Sequence, residues 1–156
     1  MSQQPTQPVF SIEKLFVKDL SIEVPNAPRI FLERDAPQVE IQMNTSANPI
    51  DDGYFEIVVS ATVTAKLGEK TVFLVEASQG GVFQIRNVPE GELEPVLGIT
   101  CPNILYPYLR EVISDAVGRA GFAPVLLNPV NFEAIFHAQR EAKAQAGAGA
   151  GVGATH

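Results

Sequence analysis

The 156-residue chain has one cysteine, Cys101, and two histidines, His137 and His156. One thiol cannot close an internal disulfide, so a disulfide-stapled scaffold is excluded and a reducing compartment is expected. Two separated histidines and one cysteine do not supply a zinc ligand set, and no metal site is expected. No segment approaches the about 18 consecutive apolar residues of a membrane-spanning helix. The opening Met1-Ser2-Gln3-Gln4-Pro5-Thr6-Gln7-Pro8 lacks the basic and apolar regions of a secretion leader. Cytoplasmic location without direct membrane insertion is the expectation. Positive charge is scarce too: 11 Lys and Arg stand against 18 Asp and Glu, a net charge of −7. With no basic cluster in view, nucleic acid is not an expected partner. Basic or apolar polypeptide segments suit such a field better.

Apolar residues make up 46% of the chain, enough for a real core, and the length fits one domain. The expected boundaries are a flexible arm over 1–8, a single domain over 9–145 and a flexible Gly/Ala-rich tail over 146–156. After an irregular patch near Glu13 to Phe16, Leu20, Ile22 and Val24 alternate with Asp19, Ser21 and Glu23. Such alternation makes a strand with two unlike faces. A second strand follows Pro37, with Val39, Ile41 and Met43 on one parity. The third places Phe55, Ile57, Val59, Ala61, Val63 and Ala65 on one parity, and the reversal at Leu67-Gly68-Glu69 predicts an antiparallel fourth. That strand is expected to run to about Gln79 and to meet a bulge or bend at Gly80-Gly81. Residues 82–100 read as a connection. A helix is predicted from Pro102 or Pro107 to Gly121, its apolar stripe being Leu105, Tyr108, Leu109, Val112, Ala116 and Val117. Asn131 is the expected cap of a second helix carrying Phe132, Ile135 and Phe136. Strands first and helices last define an α+β fold: a four-stranded, meander-like antiparallel sheet followed by two C-terminal helices.

Nothing in this layout resembles a catalytic constellation. Cys101 has no histidine in a recognisable signature and reads as a buried junction thiol. Gly80-Gly81 lacks the repeat, lysine and following helix of a phosphate loop, and Asp51-Asp52 has turn composition. No cofactor is expected. Two surface features stand out instead. Asp19 and Glu23 on strand one, and Leu74 and Glu76 on strand four, each share a strand face. The apolar inventory is also generous for one small sheet and two helices, which predicts oligomerisation through sheet edges and helices.

Five blocks carry a resemblance. They are Lys18-Asp19-Leu20-Ser21-Ile22-Glu23-Val24-Pro25-Asn26-Ala27-Pro28, Ala65-Lys66-Leu67-Gly68-Glu69, Gln79-Gly80-Gly81-Val82-Phe83, Cys101-Pro102-Asn103-Ile104-Leu105-Tyr106-Pro107-Tyr108 and Pro129-Val130-Asn131-Phe132. In order and spacing over about residues 10 to 136 they resemble SecB, the bacterial protein-export chaperone family. The resemblance implies a homotetramer built as a dimer of dimers. It also implies ATP-independent binding of unfolded preproteins and their delivery to the SecA motor. By position, Asp19, Glu23, Leu74 and Glu76 match the SecA-contacting face. Val75, Ala77 and Gln79 match positions associated with tetramer assembly. Val39, Ile41, Met43, Phe83, Tyr106, Ile135 and Phe136 match or adjoin the apolar groove that receives clients.

The chain departs from the family pattern twice. Gly147 to His156 has no acid where family tails are often acidic, and His137, Gln139 and Arg140 stand where relatives tend to be apolar. Two other readings are carried alongside: a SecB-like oligomeric adaptor of another pathway, and a small Cys-dependent acyl-transfer enzyme.

Overall fold

A computed structural model describes residues 7–153, with side chains to 147. Four strands come first: β1 (Val9–Glu23), β2 (Gln38–Asp51), β3 (Tyr54–Leu67) and β4 (Lys70–Arg86). A single turn, α1 (Leu93–Pro95), passes through a wide π turn (Val96–Thr100) into α2 (Cys101–Arg119), and α3 (Phe132–Gly153) follows. The architecture is α+β, as the patterning predicts.

The sheet order is β1-β4-β3-β2, with every pair antiparallel. This corrects the meander. β2, β3 and β4 are successive hairpins, but β1 lies beside β4 in Greek-key fashion. The proline-punctuated link between Glu23 and Gln38, with its 3-10 turn at Arg29–Leu32, carries the chain across to the far edge. Pro25 and Pro37 mark where strands end but say nothing about which strand pairs with which.

Face assignment follows parity. On β3 and β4, Ile57, Val59, Val63, Val75 and Phe83 are wholly buried, whereas their even-numbered neighbours Ser60, Thr62, Leu74 and Glu76 are half-buried or exposed. β1 keeps its apolar residues on the same side only by two bulges, at Ile12/Lys14 and Val17/Asp19. Each inserts one residue, so that Ile12, then Leu15 and Val17, then Leu20 and Ile22 all face the helices despite the change of parity. The irregular patch in the sequence is the first of these bulges.

β4 does not bend at Gly80-Gly81 but runs straight through to Arg86, so Val82, Phe83 and Ile85 belong to the sheet. The glycines serve close packing instead. A Cβ on Gly80 would lie 2.6 Å from the Phe16 ring, and one on Gly81 2.7 Å from the Phe83 ring and 2.9 Å from Leu105.

α2 packs on β4 and β3. Its buried stripe is Cys101, Leu105, Leu109, Ile113, Ala116 and Val117, with Tyr106 beside it. Tyr108, expected in that stripe, is 44% exposed. Helical phase starting from Cys101 rather than from Pro107 selects Ile113 and excludes Tyr108. Gly121, at φ +95°, ends the segment as expected.

Asn131 caps α3: its Oδ1 accepts the Ala134 N–H at 3.0 Å. The α3 backbone stays helical to Gly153, across the boundary at 146 where composition suggests a loose tail. Alanine, the best helix former, alternates with the glycines there. Most of the expected arm, residues 1–6, and the end of the expected tail, 154–156, lie outside the described residues.

Gly81→Ala is expected to destabilise the fold by about 1–3 kcal/mol, because Leu105 and Phe83 must both retreat from a well-packed core. Urea denaturation checks it; an unchanged midpoint would show that the Gly81 contact is not tight.

Candidate functional site

The sheet has one helix-covered face and one open face, and each presents a distinct surface. On the open face the register sets Glu23 opposite Leu74, Ser21 opposite Glu76 and Asp19 opposite Ser78. Thr64 and Thr62 flank Leu74 and Glu76 on the other side. The four residues singled out by sequence, Asp19, Glu23, Leu74 and Glu76, therefore form one cluster: three exposed carboxylates around a half-buried leucine. Cross-strand and diagonal neighbours lie within about 4.5–8 Å, so the carboxylates repel one another through partial solvent. Among the described ion pairs none includes them, and the adjacent Lys18 is committed to Glu56 at 2.9 Å. The patch presents three carboxylates beside an apolar side chain, with no ion pair to them among the described residues.

On the helix-covered face, α2 leaves both outer strands uncovered. Along β1, Phe10, Ile12, Val17, Leu20 and Ile22 are 37–49% exposed. Along β2, pairing with Ala65, Val63 and Ala61 puts Val39, Ile41 and Met43 on this face. Val39 and Ile41 are 42% and 45% exposed, while Met43 packs against the core.

Beyond Met43 the β2 row runs into a cleft of about 450 Å³ between Thr45–Ala47, the α1–π turn segment and α3. Phe136 forms part of its wall, its ring pressed on the Gly98 backbone, where a Cβ would sit 2.6 Å from a ring carbon. Ile135, 40% exposed, stands on the same helix. α3 is anchored by its first turn, where buried Phe132 meets the Tyr106 ring edge-on at 5.7 Å between centroids. The Tyr106 hydroxyl donates to the Asn128 carbonyl. Burial pushes the phenol pKa up, partly offset by the nearby Arg110 guanidinium.

Two of the seven groove residues read from sequence are interior. Phe83 has no exposed surface and Tyr106 has 6%, so neither is positioned to touch a bound chain. Both adjoin the face in sequence register but lie beneath α2 or behind Phe132. Val75, Ala77 and Gln79 are likewise at most 4% exposed, on the helix side of β4. They support the neighbouring β1 residues Ile22, Leu20 and Val17, with which they pair.

Sequence reading missed Leu97, Gly98 and Glu94, taken as part of a connection, and Lys143 at the far side of the cleft. The signal was present: Leu93, Val96, Leu97 and Cys101 recur at i, i+3, i+4 and i+8.

Cys101 is wholly buried at the start of α2. Burial pushes its thiol up to about 12, so at neutral pH no thiolate forms. Nucleophilic chemistry at this residue is overturned. Among the described residues no helix is long and apolar enough to cross a membrane.

The sheet thus has helices on one face and an acidic patch on the other, and comparison with known proteins identifies the family. The family described as Preprotein translocase subunit SecB matches residues 3–143. The chain belongs to the SecB family. It is 62% identical to the protein-export protein SecB of Nitrosospira multiformis, over 90% of this chain and 89% of that one. The SecB of Dechloromonas aromatica is 61% identical, over 91% of this chain and 93% of its own. Among solved structures, the SecB-like chaperone of Mycobacterium tuberculosis, in complex with a ChAD peptide from the HigA1 antitoxin, superposes with a TM-score of 0.64. It is 18% identical and covers 78% of this chain and 90% of its own, a likeness of fold. As a SecB the chain is a protein-export chaperone and not an enzyme.

The buried thiol makes a pH-dependent prediction. The unfolded thiol titrates near 9.0 and the folded one at about 12, so above pH 9 the folded chain holds more protons than the unfolded one. Stability must then fall as pH rises through this window, by at most about 1.4 kcal/mol per unit from this group. Denaturation midpoints at pH 8 and above, compared for wild type and Cys101→Ala, check it; equal pH slopes would refute it.

Proposed function

We propose that this SecB holds unfolded precursor polypeptides in extended form without nucleotide and passes them to the SecA motor in the cytoplasm. The observation that carries the reading is the separation of two surfaces on opposite sides of one sheet. An apolar one on the helix side suits client segments, and an acidic one on the open side suits a basic motor segment.

The client surface is assigned to Val39, Ile41 and Met43 of β2, continuing through the cleft to Phe136 and Ile135. Its chemistry fits a client of variable sequence. The edge strand offers main-chain pairing, and the apolar side chains take up scattered hydrophobic residues without a shaped pocket. The motor surface is assigned to Asp19, Glu23, Leu74 and Glu76. Complementary charge there speeds encounter more than it tightens binding. The segment from Gly147 to His156 carries no acid, so this reading draws the acidic motor contact from the sheet face.

The working particle is proposed to be a homotetramer, a dimer of dimers. The exposed apolar row on β1, an unpaired sheet edge, favours edge-to-edge pairing with a second copy. The exposed side of α2, including Tyr108, is left for packing between dimers. Val75, Ala77 and Gln79 then influence assembly by supporting β1 from beneath.

Two variants separate the surfaces. Ile41→Ser with Phe136→Ser should weaken binding of a reduced, unfolded precursor about tenfold while leaving SecA affinity intact. Leu74→Arg with Glu76→Lys should do the reverse, lowering SecA affinity roughly tenfold. Calorimetry with each partner reads both. Loss of both affinities in either variant would overturn the division, and wild-type failure to suppress precursor aggregation without ATP would overturn the chaperone assignment for this chain.

A further inference from the structure

On the open face of the sheet one ion pair reaches across a strand. Lys18 lies in the second bulge of β1, between Val17 and Asp19. Its Nζ donates to both carboxylate oxygens of Glu56 on β3, at 2.9 Å each. Because β4 runs between β1 and β3, the pair spans it. The row it crosses is Phe16, Gly80 and Val58 in register, where β4 offers no side chain and the Phe16 ring lies against the Gly80 backbone. The Glu56 side chain is 19% exposed and that of Lys18 48%, so the carboxylate is the fixed member and the lysine the movable one. A bulge lets successive residues share a face. Lys18, paired with Glu56, and Asp19, opposite Ser78, both reach the open side.

We infer that Glu56 is a positioning residue for the acidic motor surface: by holding Lys18 it keeps a cation off the Asp19 carboxylate. The inference rests on the motor-surface reading and deepens it. Without Glu56, a flexible ammonium on the residue next to Asp19 pairs with that carboxylate, and a cation from the partner must first displace it. Glu56 itself stands four residues along β3 from Ser60, the position in line with Asp19, about 14 Å away, and so acts only through the lysine. Lys14 and Lys66 share this face but lie about 14 and about 20 Å along the sheet from the Asp19 row. At about 0.1 M salt the screening length is about 10 Å, so neither replaces Lys18 as the local competitor.

A double-mutant cycle tests it, with the affinity for purified SecA read by calorimetry at about 0.1 M salt. Glu56→Gln is expected to weaken binding on the order of threefold. Adding Lys18→Gln to it should restore the wild-type value, whereas Lys18→Gln alone should change it little. Asp52→Asn makes the same change of net charge at the Arg86 pair, at the far end of β4, and should leave affinity unchanged. A merely structural ion pair would instead make both single variants weak, and a pure net-charge effect would give Lys18→Gln the same gain in both backgrounds. Either result overturns the inference, as does wild-type affinity in Glu56→Gln or an equal loss in Asp52→Asn, and each leaves the motor surface standing. Precursor affinity, read in parallel on the opposite face, should not move; its loss in Glu56→Gln assigns the residue to the fold and overturns the inference too. If Leu74→Arg with Glu76→Lys binds SecA as wild type does, the motor surface itself falls and the role of Glu56 with it.

Discussion

An α-helix with its side chains is about 10 Å across, and neighbouring strands are about 4.8 Å apart. One helix can therefore cover about two strands of a sheet, and this chain lays one long helix on a sheet of four. The rest of the structure follows from that mismatch. The two central strands, β3 and β4, receive α2 and form the core, and the outer two keep their apolar rows in solvent. A monomeric enzyme would cover such rows. Open apolar rows of this kind are what the proposed client binding and self-assembly would use.

The same constraint decides how rigid each part is. β3, β4 and α2 are joined by a continuous buried cluster. α3 touches the body through Phe132, the Gly98–Phe136 contact and the neighbouring π turn. A wall seated so lightly suits the proposed client site, since little must be disrupted to admit a bulkier segment. The opposite wall, β2, is held by a full ladder to β3 and supplies the fixed reference.

Much of this was legible in the sequence because strand parity is a strict code. Parity put Ile57, Val59 and Val63 on one face of β3 and Phe73, Val75 and Ala77 on one face of β4, and these are the buried faces. It also paired Asp19 with Glu23 and Leu74 with Glu76, while their grouping into one cluster was what the resemblance implied. What parity does not encode is neighbour identity, so β1 was not placed beside β4. Nor does composition distinguish a glycine needed for turning from one needed for closeness. Gly80 and Gly81 are the second kind, and taking them for the first cut β4 short and left Phe83 outside the sheet. The cleft was hardest to see, because its lining comes from a strand, a turn and a helix distant in sequence. Phe83 and Tyr106 show the converse limit: apolar character places a residue near a groove but cannot say on which side of the surface it ends.

The two bulges in β1 also bear on how the family can vary in length. β3 is regular from Phe55 to Ala65 against both of its neighbours, so losing one residue there would turn every subsequent side chain to the wrong face. β1 carries a surplus residue at each bulge. A single deletion near Glu13 or Lys18 can be absorbed by straightening the strand, with the apolar row still facing inward. Gaps in this strand are therefore tolerable evolutionary steps, and gaps in β3 are not. This open edge is the part of the sheet whose length can drift without loss of the core.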